Sequence, residues 1–296
     1  MKRVLGIIIA GLLVAHTAHA KVNVVATTPE LAAIAREVGG DRVEVVSLAK
    51  PTEDPHFVDP KPSFVVKLAH ADVLVEGGAE LEIGWLPPLL EGARNPKLTR
   101  IAIAPGVQLL EVPTALDRSK GDVHAQGNPH YMTDPVNGQI AAQRIAAGLT
   151  QRDVAGAESY RANLAKFNAR IDAKMVEWRK LLGPFAGKQI VAYHNTWPYF
   201  GERFGLKIDV FLEPKPGIPP TPASLATVIT KIKTEHLRVV IVEPYQNRKT
   251  ADTVAADTGA VVVPVAQYPG GVKGTEAGYV ELIDYIVNAI AQGLGQ

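Results

Sequence analysis

Three histidines lie in turn-like settings at widely separated points of the chain: Asp54-Pro55-His56, Asn128-Pro129-His130 and Tyr193-His194-Asn195. His56 and His130 are 74 residues apart, and His130 and His194 are 64 residues apart, which is too wide for a local zinc finger. Imidazole nitrogen suits zinc, copper, iron and nickel. We therefore expect a site for a divalent transition metal that is assembled by tertiary folding.

The N-terminus has the pattern of a secretory signal peptide over residues 1–20. Lys2-Arg3 is followed by an apolar run over 4–15 and by Ala18-His19-Ala20, a small-x-small cleavage site. The apolar run is too short for a transmembrane anchor, which needs roughly 20 residues. The mature chain is predicted to begin at Lys21 in a periplasm-like space. Because the sequence contains no cysteine, we expect no cysteine-linked lipid anchor, no disulfide and no thiolate ligand.

Composition narrows the range of partners. The chain has 296 residues, a formal net charge of +1, 21% charged residues and 47% hydrophobic residues. A chain of this length suits two lobes of ordinary size. Without a basic surplus, nucleic acid is not expected as a partner.

Short β-branched runs alternate with helical stretches, which favours an α/β fold with largely parallel sheets covered by helices. In the first lobe this pattern predicts helices at 29–38, 61–69 and 80–91 and strands at 22–26, 43–48, 72–76 and 98–103. In the second lobe it predicts strands at 189–193, 207–211, 239–242 and 260–264. We expect two similar lobes, at residues 21–135 and 183–296.

Two segments connect these lobes. Residues 104–135 are rich in Gly, Pro and Asp and predict a long loop that contains His130. Residues 136–182 have a helical pattern almost throughout, with an interruption predicted at Asp153 or Gly156. The three histidines thus follow strands or loops, and the carboxyl ends of strands form the ligand crevice of open α/β sheets. The metal site is therefore expected in the cleft between the lobes.

Other histidines have ordinary explanations. His16 and His19 leave with the signal peptide, His70 ends a predicted helix, and His236 ends another, where a cation is favourable. His124 lies only six residues before His130 and is either an auxiliary ligand or a solvated loop residue, the second being favoured.

Segments 54–60, 128–135 and 192–200 resemble the three metal motifs of the zinc and manganese substrate-binding proteins of ABC importers, the ZnuA/TroA-like cluster A-I family. Segments 71–75, 216–225 and 242–245 are also similar, and the resemblance extends over the mature chain in order. It implies two α/β lobes joined by one long rigid helix, with little hinge motion and metal in the cleft. It also implies delivery of the metal by a monomeric receptor to a membrane permease with its cytoplasmic ATPase.

The resemblance implies that His56, His130 and His194 are the metal ligands. Histidine at the third position is more common in zinc receptors, whereas carboxylate there is more common in manganese receptors, so zinc is the expected cargo and manganese or iron the alternative. Many relatives supply a fourth, carboxylate ligand where this chain reads 263–268 without an acid. Glu243, Gln267 or water could complete the shell, and Glu243 could equally be an outer partner of a ligand or a structural carboxylate.

A catalytic zinc enzyme is the second class considered, because three histidines and a water also form hydrolytic zinc sites, with Glu243 as the base. The sequence contains no His-Glu-x-x-His helix, no Gly-x-Ser-x-Gly elbow and no phosphate loop. A surface adhesin is the third class, and no repeat supports it. We therefore expect a binding protein and not an enzyme.

Overall fold

The computed structural model describes residues 20–115, 124–215 and 217–296. The predicted signal peptide lies outside these ranges except for its last residue. No helix in the described ranges is long and apolar enough to cross a membrane.

The strands form two four-stranded parallel sheets, one in each lobe. The first sheet has the order β2-β1-β3-β4 and contains β1 (Val22–Ala26), β2 (Val43–Ser47), β3 (Val73–Glu76) and β4 (Thr99–Ala102). The second has the order β6-β5-β7-β8 and contains β5 (Gln189–Ala192), β6 (Lys207–Phe211), β7 (Val239–Val242) and β8 (Val261–Pro264). The equivalent strand orders confirm two similar α/β lobes.

Helices cover both faces of these sheets. They are α1 (Pro29–Gly39), α2 (Pro62–Ala69), α3 (Leu86–Ala93), α4 (Pro135–Arg152), α5 (Ala157–Leu182), α6 (Pro198–Phe204), α7 (Pro222–Glu235), α8 (Arg248–Thr258) and α9 (Tyr279–Gly295). Most begin with proline in the first turn, where its missing N–H has no intrahelical partner to lose. Asp134 caps α4 by accepting a hydrogen bond from the backbone N–H of Val136.

The helix predicted at 80–91 begins later, at Leu86. Ala79 and Glu80 have positive φ angles, which a right-handed helix cannot accommodate. Glu82 holds this turn, because its carboxylate accepts hydrogen bonds from the backbone N–H groups of Gly77 and Gly78.

The connecting segment 136–182 is interrupted where the sequence predicted it. A short 3-10 turn at Val154–Gly156 separates α4 from α5, and Asp153 forms a bidentate ion pair with Arg42. The 26-residue helix α5 packs against α1 of the first lobe and α9 of the second, so it is the long helix that links the lobes. Helix α4 packs against α5, α1 and β4. The lobe boundaries at 135 and 183 stay a prediction.

One hydrophobic core extends through both lobes. It joins the strands and helix α1 of the first lobe to α4, α5, α9 and the strands of the second, with Trp178 of α5 fully buried among them. Two smaller cores lie on the outer faces, under α2 and α3 in one lobe and under α7 and α8 in the other. The lobes are therefore held by shared packing as well as by their connection.

Gly138 marks a close approach between the lobes. A Cβ at this position in α4 would lie 2.2 Å from a ring carbon of Tyr279, the first residue of α9. Alanine gains roughly 1 kcal/mol over glycine inside a helix. Because the clash outweighs that gain, we expect Gly138→Ala to destabilise the protein by about 1–3 kcal/mol in denaturant unfolding.

Gly92→Ala is the matched control for this prediction. Gly92 also lies inside a helix, α3, but a Cβ there would meet Val65 only at an ordinary contact distance of 3.4 Å. This variant should be as stable as the parent or slightly more stable. Equal stability of both variants would contradict the close packing of α4 against Tyr279.

Glu30 is a fully buried carboxyl group in the first turn of α1. Burial raises its pKa to about 8, although a hydrogen bond from Thr28 acts in the opposite direction. The folded protein therefore keeps a proton on Glu30 at pH values where the unfolded chain, with the ordinary pKa of 4.5, has lost it. Stability is thus lost as pH rises from the unfolded value toward the folded value.

We expect Glu30→Gln to remove this pH dependence. The free energy of unfolding of the variant, relative to the parent, should rise between pH 5 and 8 by as much as about 1.4 kcal/mol per pH unit. Urea titrations of the metal-free protein across that range measure it. A relative stability that does not change with pH would show that Glu30 is ionised in the folded protein.

Candidate metal centre

His56 lies in the connection between β2 and α2, at the carboxyl end of the first sheet. Its backbone N–H donates a 2.9 Å hydrogen bond to the carboxylate of Asp54, which forms a local turn. The indole N–H of Trp85 donates to the carbonyl of Pro55 at 2.9 Å. The loop that carries His56 is therefore held by its own lobe.

His130 ends the long loop that follows β4 and precedes α4. Its backbone N–H donates to the side chain of Asn128 at 3.0 Å, and its carbonyl accepts from the hydroxyl of Thr133 at 3.0 Å. A 3-10 turn at Tyr131–Thr133 then leads into α4. These contacts fix the backbone on both sides of a histidine that is only 5% exposed.

His194 follows β5 in the second lobe. Tyr193 continues the strand by donating its N–H to the carbonyl of Ile241, and the N–H of Thr196 donates to the carbonyl of His194. The chain then turns into α6, which begins at Pro198. His194 thus projects from the carboxyl edge of the second sheet, as the sequence predicted.

The three imidazole rings meet between the lobes. One ring nitrogen from each of His56, His130 and His194 lies within 4.8 Å of the other two. The Nε2 atoms of His56 and His130 are 3.2 Å apart. Two nitrogen ligands of a tetrahedral zinc ion, each about 2.05 Å from the metal, are separated by about 3.3 Å. Within the described ranges this is the one group of three or more His, Asp or Glu side chains with such spacing.

Burial keeps two of the rings neutral. It lowers the pKa of His56 and of His130 well below the usual value, and the positive charge of neighbouring imidazoles lowers both further. His194 differs: burial acts to lower its pKa, but the hydrogen bond and charge of Glu213 outweigh burial and raise it. Neutral imidazole is the form that binds metal, so His56 and His130 need lose no proton on binding.

Two residues outside the triad orient its rings. The Nδ1 of His194 is hydrogen-bonded to the carboxylate of Glu213, and the Nδ1 of His130 lies 3.0 Å from the side-chain oxygen of Gln267. Gln267 in turn donates to the hydroxyl of Tyr245. Because each oxygen accepts a hydrogen bond from Nδ1–H, the proton stays on Nδ1 and Nε2 keeps its lone pair for a metal.

Sequence reasoning missed Glu213. It follows β6 at the same edge of the sheet as His194, so the rule that placed the histidines also applied to it. Gln267 was considered as a metal ligand, but the structure uses its side-chain oxygen to hold His130.

Glu243 follows β7 and is fully buried. Its Oε1 accepts a 2.8 Å hydrogen bond from the indole N–H of Trp197, and burial raises its pKa to about 7. Its carboxylate is not part of the group of ring nitrogens within 4.8 Å. The positive charge of a protonated His194 lowers the pKa of Glu243, so the two groups lie within electrostatic range.

The remaining histidines divide as follows. His124 stacks on His56 with ring centroids 5.0 Å apart, although the sequence favoured a solvated position for it. His70 and His236 are the C-cap residues of α2 and α7, as the sequence predicted, and neither belongs to the group.

Comparison with known proteins agrees with this geometry. Residues 24–293 match the profile of the ZnuA family, "Zinc-uptake complex component A periplasmic". The metal ABC transporter substrate-binding lipoprotein ScbA of Streptococcus cristatus is 27% identical over 95% of this chain and 91% of its own length. The manganese ABC transporter substrate-binding lipoprotein PsaA of Streptococcus pneumoniae is 26% identical over the same shares.

Solved structures show the same fold. A crystal structure of ZnuA superposes with a TM-score of 0.80 at 25% identity, over 92% of this chain and 99% of that one. Proteins of this kind bind a substrate for transport and are not enzymes, so the catalytic interpretation of the three histidines is excluded. A match over nearly the whole chain, together with the shared fold, makes this protein a member of the ZnuA family of extracytoplasmic substrate-binding proteins, which bind a divalent metal for import by an ABC transporter.

Proposed function

We propose that this protein binds one zinc ion through His56, His130 and His194 and delivers it to the membrane permease of an ABC importer with a cytoplasmic ATPase. The observation that carries the proposal is the convergence of three ring nitrogens, from both lobes, to within 4.8 Å. Hydrogen bonds to the outer nitrogens of His130 and His194 support it, because they direct the metal-binding lone pairs.

Zinc is proposed because the group contains imidazole alone. Imidazole suits zinc, whereas manganese prefers carboxylate, carbonyl and water ligands. In the described ranges no carboxylate joins the three ring nitrogens. A manganese or iron receptor is the alternative, because the relative PsaA is by name a manganese ABC transporter substrate-binding lipoprotein.

We propose water as the fourth ligand and Glu243 as a nearby negative charge. Three neutral imidazoles leave both charges of the ion without a counter-charge. Glu213, Glu243 and Asp54 all act electrostatically on His194, in the direction that favours a cation. These acids can stabilise the bound ion without coordinating it.

The protein is proposed to act as a monomer in the periplasm after cleavage before Lys21. Relatives such as ScbA are lipoproteins by name. This chain has no cysteine to which a thioether lipid could be attached, which supports a receptor that is free in that compartment.

Metal content and competitive titration test the proposal directly. We expect the chain from Lys21 to Gln296 to bind one equivalent of zinc tightly and manganese much more weakly. His130→Ala removes a ligand, so zinc affinity should fall by more than about 100-fold, beyond the 10- to 100-fold typical of outer partners. Chelator competition measures both effects.

His70→Ala is the control, because His70 lies outside the group and should leave affinity unchanged. Tight zinc binding that survives His56→Ala, His130→Ala and His194→Ala together would refute the site. Manganese binding that is tighter than zinc binding and depends on the same three histidines would establish the alternative cargo.

Glu213 provides a second prediction. Because its carboxylate fixes His194 through Nδ1, Glu213→Ala should weaken zinc binding about 10- to 100-fold. Glu213→Gln keeps an acceptor but loses the charge, so its affinity should lie between those of Glu213→Ala and the parent. NMR titration of the metal-free variants should show a lower His194 pKa in both. An unchanged pKa would show that Glu213 is not the partner of His194 in solution.

A further inference from the structure

A small cavity lies behind His130, where the lobes meet. Its volume is about 20 Å³, and its lining includes Glu30 and Tyr131 of the first lobe and Gln267 and Tyr268 of the second. A polar cavity needs roughly 10–15 Å³ to hold one water molecule. The space therefore suits one water and nothing much larger.

Two residues of this lining each have a buried polar atom without a hydrogen-bond partner in the described ranges: Oε2 of Glu30 and the hydroxyl of Tyr268. Both residues are almost completely buried, at 3% and 2% exposed. The other oxygen of Glu30 is satisfied, since it accepts from the hydroxyl of Thr28 at 2.7 Å. Buried polar groups in folded proteins are nearly always paired, and internal water is a common partner.

The chemistry of these two groups defines what can join them. Burial raises the pKa of Glu30 to about 8, so at neutral pH it is an uncharged carboxyl that donates one hydrogen bond and accepts others. The hydroxyl of Tyr268 also both donates and accepts. A neutral ligand that is donor and acceptor at once satisfies both, whereas a metal ion would find no ionised carboxylate here.

We propose that this cavity is a binding site for one internal water molecule, which joins Glu30 of the first lobe to Tyr268 of the second directly behind the metal centre. The bridge crosses the lobe interface beside Gln267, the residue that holds His130. It therefore restrains the loop after β8 and, through Gln267, the orientation of His130. The site does not depend on which metal the protein binds.

A crystal structure of the metal-free chain from Lys21 to Gln296, at a resolution that defines ordered waters, tests the proposal. We expect a water peak about 2.7–3.2 Å from both Glu30 Oε2 and the Tyr268 hydroxyl. A direct hydrogen bond between the two side chains, or no peak within reach of both, would overturn it. Because no metal is present, this result is independent of the proposed cargo.

Two variants distinguish the loss of the bridging water from a change in side-chain packing. Tyr268→Phe removes the hydroxyl and keeps the ring, so the water peak should be lost and zinc should dissociate several-fold faster. Glu30→Gln keeps a donor and an acceptor and should retain the peak. Tyr285→Phe is the control, since its hydroxyl bonds to Pro264 on a more exposed surface and should change neither quantity. A fully occupied water in Tyr268→Phe would show that the water does not bridge the lobes.

Discussion

The metal centre depends on a fixed relation between the two lobes. His56 and His194 follow strands of different sheets, and their rings can face a common point only if those sheets keep a fixed distance from each other. The shared core and helix α5 provide this constraint, and polar contacts around His130 reinforce it.

Arg203 of α6 forms a bidentate ion pair with Asp134, and Tyr279 of α9 donates to the carbonyl of Met132 at 2.8 Å. The three imidazole rings are thus brought together by contacts of the folded chain itself.

Electrostatics complements this geometry. His130 is buried and His56 is partly buried, and desolvation lowers the pKa of both well below the usual value, so their lone pairs are available near neutral pH. His194 faces Glu213 and has a raised pKa, so a proton competes with metal at this one ligand. A divalent cation bound at His194 would replace that proton and lie near the same carboxylate. Removing an imidazole from water destabilises its charged, protonated form more than its neutral form. The neutral form is the one that coordinates a metal, so desolvation of these rings favours metal binding over protonation.

Much of this arrangement follows from the sequence, and the rest has identifiable physical reasons. Alternating β-branched runs and helical periods predicted both sheets, and the position of His194 after a strand predicted its edge of the sheet. The late start of α3 was not predicted, because it depends on the tertiary contact between Thr27 and Glu82 and on the hydrogen bonds of Glu82 to nearby backbone. The position of Glu213 after a strand was open to the same rule as His194, but its pairing with His194 and the stacking of His124 on His56 depend on side-chain geometry that the sequence pattern does not specify.

The histidines of the site differ in the contacts that fix their position. His130 is tied to the second lobe through Gln267, and the chain around it through Asp134 and Asn128, whose amide donates to the carbonyl of Asn195.

His56 sits on a loop fixed by Asp54 and Trp85 of its own lobe. Opening the lobes would break the shared core and these polar ties together. The loop that bears His56 has fewer contacts of this kind, so it is the less constrained of the two attachments.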